Sequence, residues 1–371
     1  MSVQAVILAG GEGMRLRPLT RNRPKVLLPV ANRPILGYVL DAVVSAGIRD
    51  ITIIVGYQKE QVLKFLNDYP LPVKVVVQQK QLGVYHALSC ALPEIHSERV
   101  LVVSGDNYLD TESICSLLWK KNAILASPHQ RPQDYGVILQ QGEYVSSLVP
   151  QHTESRHGAL VSCGAYVVEK PLLEKFILAD GPENLSDLHD SQISVVQAHE
   201  WFDADIPEDF IRLNAHLLRK QKTMVQGTVD KYAVIRKHVV IGKNVSIGPG
   251  VVITGPAYIG DDCIIHPNVC VGPGTSLGSR VVVEPFTYIT NSILMNDCFV
   301  GAQSRISDSI IGEGCVIHQA ATVSEDFGAV IGDRTTIGAF TRLKCCLIGN
   351  NVSLDGGRLI DSDIPDNTRV M

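Results

Sequence analysis

What this chain lacks narrows the field first. None of its apolar runs approaches the roughly 18 residues that a membrane helix requires, so no membrane span is expected. No basic n-region opens the chain, so no secretory leader is expected. There is no excess of positive charge: 33 Lys and Arg stand against 38 Asp and Glu, a net charge of −5 that argues against general nucleic-acid binding. The nine cysteines form no repeating pair motif, which points away from a disulfide framework or a zinc site. The reading is a soluble, cytoplasmic protein. Its 371 residues suit two domains, and with 45% of them apolar a sizeable core is within reach.

The densest information lies near the start. Val3 to Leu8 reads as a buried strand that delivers the chain into Leu8-Ala9-Gly10-Gly11-Glu12-Gly13, three glycines within four positions. Without a Cβ, glycine lets a ligand approach the backbone N–H groups closely. Five cations follow within eleven positions, Arg15, Arg17, Arg21, Arg23 and Lys25. Bare amides backed by cations suit a polyphosphate. Neither standard phosphate-loop spacing is present, since the lysine comes twelve residues after Gly13 and no G-x-G-x-x-G precedes a helix.

Residues 1–220 alternate strands and helices. Helical segments are expected at 34–47, 59–67 and 84–92, and strands at 51–55, 73–77 and 100–103. Such alternation implies a mostly parallel α/β sheet whose ligands bind at the carboxyl ends of the strands. The glycine loop, Gln78 and Asp106 each follow such a strand directly. Asp106, in Ser104-Gly105-Asp106-Asn107, reads either as a turn aspartate or as a metal ligand. Glu200-Trp201-Phe202-Asp203-Ala204-Asp205 offers further carboxylates.

Residues 10–30 resemble the signature of the sugar-1-phosphate nucleotidylyltransferases, G-G-x-G-[ST]-R-L-x-P-L-T followed by P-K-x-x-x-P-[VI], with Met14 in place of the small hydroxyl residue. The later segments resemble the same family's G-D-N, W-x-D-x-x-x-P-E-D and Q-x-x-x-L-G-T-A-H-A motifs. The resemblance implies a Rossmann-like domain that joins a nucleoside triphosphate to a sugar 1-phosphate with release of pyrophosphate. It assigns Leu8, Ala9, Gly10, Gly11, Gly13, Gln78 and Gly83 to the nucleotide, and Mg2+ to Asp106 and Asp203. Arg15 is assigned to the leaving pyrophosphate and Lys25 to the α-phosphate, these two and Asp106 being the catalytic set. Gln78 and Gly83 favour UTP or dTTP, because a glutamine amide matches the edge of a uracil or thymine ring. On the sugar side it assigns Asn107, Gly136, Gly164 and Asn184. Val149-Pro150-Gln151-His152 replaces the family's E-K-P, and Asn184-Leu185-Ser186-Asp187 replaces E-[IL]-T-D. Glu169-Lys170-Pro171 reads instead as a helix start. These departures leave a catalytically silent scaffold homologue as the alternative.

Residues 221–233 read as a linker, and 234–371 as a second domain built on a repeat. From Ile235 to Ile289 apolar residues recur every six positions, a period that belongs to neither helix nor strand. The spacing then drops to five at Ile289–Leu294, Ile306–Ile311 and Leu343–Ile348, and widens to eight at Val323–Ile331. The pattern resembles a left-handed parallel β-helix of hexapeptide repeats, about seven coils long. Cys263, Cys298, Cys315 and Cys346 each stand two residues before a repeat position and read as small core hydrophobes. Some relatives of this architecture carry an acetyltransferase in the β-helix. His238, His266 and His318 are the candidate bases, and Ser324-Glu325-Asp326-Phe327-Gly328 is short for the loop such an enzyme carries. The stripes Val252, Cys270, Tyr288 and Val240, Tyr258, spaced by eighteen, suit side-by-side packing of prisms, and a homotrimer is the simplest closed outcome.

Overall fold

The computed structural model describes residues 2–149, 158–184, 191–323 and 328–370. The chain divides into two compact units that are not simple halves. Met1–Glu12, Pro24–Leu27 and Ile35–Asp203 form the first; Gly13–Arg23, Leu28–Pro34 and Ala204–Met371 form the second.

In the first unit, β1 (Val3–Ala9), α1 (Ile35–Ser45), β2 (Ile51–Val55), α2 (Lys59–Asn67), β3 (Lys74–Val77), α3 (Val84–Ala91) and β4 (Arg99–Ser104) follow the expected alternation. Then come β5 (Asn107–Leu109), α4 (Thr111–Leu118), β6 (Ala123–Pro128), β7 (Val137–Gln141), β8 (Tyr144–Val149), β9 (Leu160–Glu169), α5 (Lys170–Leu178), β10 (Ser194–Gln197) and β11 (Trp201–Asp203). The main sheet has the order β3-β2-β1-β4-β9-β6-β10-β8-β7. β3, β2, β1 and β4 are mutually parallel. Beyond β4 the sheet becomes mixed, because β9 runs antiparallel to both β4 and β6. β1 and β4 read clearly in the sequence because both faces are covered: Val6, Val100 and Val102 pack in one cluster with Leu88 of α3 and Leu173 of α5. β3, expected to be buried, is an edge strand with Lys74 and Val75 exposed. Glu169-Lys170-Pro171 does begin a helix: Glu169 caps α5, and Lys170 Nζ donates to the Ile95 carbonyl at 2.7 Å.

The second unit contains α6 (Pro207–Lys220) and a left-handed parallel β-helix of three sheets with nine, nine and eight strands. Its interior is a column of Val, Ile and Leu, with Cys263, Cys298, Cys315 and Cys346 buried among them and none of the nine cysteines in a disulfide. The expected linker, 221–233, is instead the first coil, since Met224–Val225 and Thr228–Val229 pair with Val240–Ile241 and Ser246–Ile247. Only four positions separate the inward Val225 and Val229, so a spacing of six passes over them.

Between Val229 and Leu354 every departure from six falls on one corner, where the third sheet turns into the first. On the next corner, side chains form a ladder. Asp261 Oδ1 accepts from Lys243 N at 2.7 Å and Asn296 Oδ1 from Ser279 N at 2.9 Å, and Asp333, Asn350 and Asp366 repeat the contact on later coils. Glycine precedes the rung because the next coil lies too close for a side chain: a Cβ on Gly332 would stand 2.7 Å from Asn350 Oδ1.

The middle of the first sheet's outward face is covered within the chain: Val240, Ser276, Ile293 and Ile310 are buried, whereas Met224 and Leu347 towards its ends are exposed. Asn214 of α6 caps this face, donating to the Gly274 carbonyl at 2.8 Å and accepting from Ser276 Oγ at 2.9 Å. The Val240–Tyr258 stripe, expected to meet another subunit, therefore belongs to an internal face, while the Val252–Cys270–Tyr288 stripe lies on the third sheet. The short segment 324–327 lies outside the described residues.

Candidate active site

Within the first unit the chain reverses direction across the sheet between β1 and β4, and ligands of open α/β sheets bind at such a switch point. Leu8 and Ala9 end β1; Gly10 and Gly11 leave its carboxyl end, and Gly105-Asp106 leaves that of β4. The two exits are tied: Gly105 N donates to the Leu8 carbonyl at 2.8 Å, and a Cβ on Gly105 would stand 2.8 Å from that same oxygen.

Lys25 is buried, and its Nζ lies 2.8 Å from Asp106 Oδ2. A buried ammonium is stable only beside a partner, and Asp106, partly exposed, supplies it. Asp203 reaches the same strand end by antiparallel pairing of β11 with β5, where it stands opposite Asn107. Asn107 Nδ2 donates to the Cys163 carbonyl at 3.2 Å. Gly164, at φ +70°, sits where the pairing of β9 with β6 slips, and the bulge drives β9 against β4 and β5: a Cβ there would lie 2.7 Å from Ser104 Oγ and 3.0 Å from Asn107 Nδ2. Gly136 joins through its carbonyl, which accepts from Ser162 N at 2.9 Å. Beside this cluster, burial first and the Asp203 charge second push the Cys163 thiol far above its usual range, so it stays protonated. Asp106 and Asp203 are the carboxylates here that could hold a divalent cation. Among the described residues no group of three or more His, Cys, Asp and Glu forms a closed metal cage.

Gln78 is buried against the glycine loop, where a Cβ on Gly10 would stand 3.1 Å from its Oε1. Its Nε2 lies 3.0 Å from both the Gly83 carbonyl and His86 Nδ1, so the amide's donors are engaged and its oxygen faces Gly10. Gly83, at φ +98°, caps α3. Burial, then Glu183 and Asp180, push the Tyr85 phenol up, consistent with a ring packed under the helix.

Other expected residues have partners of their own. Gly13 and Arg15 belong to the second unit, where Thr20 Oγ1 donates to the Gly13 carbonyl at 2.8 Å and Arg15 pairs with Asp205. Asp205 was missed as its partner, although it stands two residues after Asp203 in the same motif. Two of the five cations expected to back a polyphosphate serve another purpose: Arg23 pairs with Glu313 and Asp333, and Arg21 with Asp366. Asn184 Nδ2 donates to the carbonyls of Ala179 and Asp180 at the end of α5. Residues 150–152 and 185–187, where the sugar motifs depart from the family, lie outside the described residues.

A family model described as nucleotidyl transferase matches residues 4–218. The chain belongs to this family. Models of the bacterial transferase hexapeptide repeat and of the GMPPB C-terminal domain match residues 228–255 and 253–365. Together they identify a sugar-1-phosphate nucleotidyltransferase architecture with a C-terminal β-helix. The chain is 28% identical to the bifunctional protein GlmU of Methanococcus maripaludis, over 96% of this chain and 83% of that protein. It is 29% identical to the low-salt glycan biosynthesis nucleotidyltransferase Agl11 of Haloferax volcanii, over 92% of this chain and 100% of that one. A crystal structure of a putative glucose-1-phosphate thymidylyltransferase from Bacillus anthracis shares the fold at a TM-score of 0.52 and 21% identity, over 58% of this nucleotidyltransferase and 95% of that chain.

Proposed function

We propose that this nucleotidyltransferase moves a nucleotidyl group from UTP or dTTP onto a hexose 1-phosphate in the cytoplasm, with Mg2+. The observation that carries the reading is the buried Lys25–Asp106 pair at the switch point, with Asp203 brought to the same strand end. An oxygen of the sugar phosphate, already ionised, attacks the α-phosphorus in line; the bond from the α-phosphorus to the bridging oxygen breaks, and pyrophosphate leaves with the electron pair. No protein nucleophile or general base is required, so the residues act by placement and charge. Lys25 neutralises the α-phosphate, and Asn107 with the Gly164 bulge bounds the sugar side. Arg15 is the family's cation for the departing pyrophosphate. Asp106 and Asp203 would hold Mg2+, which neutralises phosphate charge when bound.

The pyrimidine choice is supported by the Gln78 amide. With its donors held by Gly83 and His86, its oxygen remains an acceptor, which suits the N3–H of uracil or thymine and not the bare N3 of cytosine. A single activity is proposed despite the name of the GlmU relatives. Two of the candidate bases are separately engaged, His238 Nδ1 beside the Gln221 carbonyl and His266 beside Glu284. Pyrophosphate release measured for the four ribonucleoside triphosphates and dTTP, each with several hexose 1-phosphates, tests the reading. The expected result is turnover with UTP or dTTP, and a clear preference for GTP overturns it.

A further inference from the structure

Within the second unit the Gly13–Arg23 segment is bound to the β-helix by charges and polar groups that the helix does not require for its own coiling. Arg23 Nη2 lies 3.0 Å from Asp333 Oδ2 and 3.1 Å from its Oδ1, and 3.0 Å from Glu313 Oε2; its Nη1 lies 3.2 Å from Met295 Sδ. Asn350 Nδ2 donates to the Pro18 carbonyl at 3.2 Å, an oxygen that also accepts from Arg21 N. Arg21 Nε lies 2.8 Å from Asp366 Oδ2. Asp333, Asn350 and Asp366 are the last rungs of the corner ladder, whereas Asp261 and Asn296 higher in the ladder perform the same backbone duty. Ladder duty accounts for one oxygen of Asp333; it does not account for a buried carboxylate charge answered by a guanidinium 310 residues away in sequence.

We propose that Asp333, with Asn350 behind it, is a positioning residue for nucleotidyl transfer: the β-helix fixes the segment that ends two residues before Lys25. The kinetic part rests on the function proposed above; the structural part does not. Neutralising Asp333 removes the buried partner of Arg23 and leaves it only the more exposed Glu313 carboxylate, so the segment loosens. Misplacing a catalytic group by even about 1 Å costs rate out of proportion to the distance.

The test compares Asp333→Asn, which keeps the ladder acceptor and loses the charge, with Asp261→Asn, which makes the same change on a rung that does not touch the segment. Two readouts are taken on the full chain. In amide exchange, Asp333→Asn is expected to raise the rates of the Leu16, Leu19 and Arg21 amides at least tenfold while the coil amides Val282 and Phe299 stay protected. In kinetics, it is expected to lower kcat about tenfold with KM for the sugar phosphate unchanged, and Asp261→Asn to leave both at the wild-type value. Unchanged exchange in the segment, or an equal fall in kcat in the Asp261→Asn control, overturns the proposal. Loss of protection in a protein that transfers no nucleotidyl group sustains the structural part and overturns the proposed function.

Discussion

Lys25 shows how one side chain would be prepared for the phosphate of the proposed reaction. Its ammonium is buried and paired with Asp106, so in the proposed reaction a negatively charged substrate would meet a cation already stripped of water and held in place. Preorganisation of this kind is worth more than the same charge on a flexible surface lysine. Lys25→Ala is expected to lower kcat by about 10²–10³-fold, measured as pyrophosphate release at saturating substrates. Turnover equal to the wild type would remove Lys25 from the chemistry. Asp106 and Lys25 were legible as candidates because each stands in a motif. The partners of Arg21 and Arg23 were not, because nothing local marks an ion pair whose halves lie some three hundred residues apart. The repeat cysteines were legible by a different route, their register against the apolar positions. Burial accordingly raises the Cys263 thiol to about 11, so it stays neutral throughout the physiological range.

The elements that read best from sequence are those whose pattern is local and whose faces are uniform. β1, β2 and β4 are apolar runs buried on both sides, and the hexad of the β-helix repeats often enough to average out its exceptions. The mixed half of the sheet was not legible as such. β9 alternates buried and half-buried residues and is broken by the Gly164 bulge, so its antiparallel placement depends on partners far along the chain. The same uniformity makes single rungs of the coil testable. Ile289 is fully buried in the column, and the rigid coils above and below limit collapse around a void. Ile289→Ala is expected to cost about 2–5 kcal/mol, read as a lower midpoint in urea unfolding of the second unit. A loss below about 1 kcal/mol would show that the column relaxes around the missing atoms.

For the molecule as a whole, the outward stripes decide how copies can meet. α6 covers the middle of the first sheet, which leaves the second, where Ile264, Val282, Phe299 and Val316 line up outward, and the third, where Val252, Cys270 and Tyr288 form a partly exposed stripe that gives way to Arg305, stacked 4.9 Å from the Tyr288 ring. An aligned stripe on one flat face favours self-association around a closed axis, and a homotrimer remains the expectation. Light scattering at micromolar concentration is expected to give about three times the 40.4 kDa chain mass, and a monomer mass refutes it. The corner between the third and first sheets bears on the molecule at the same scale. Turns of five, six and eight residues are all accommodated there without disturbing the strands that follow. Side chains in a strand alternate inside and outside, so one residue lost from a strand or a fixed corner would turn the succeeding apolar column out to water. Between Val229 and Leu354 the solenoid therefore carries a seam, the line on which its sequence is free to change in length while the rest of that stretch is held to count.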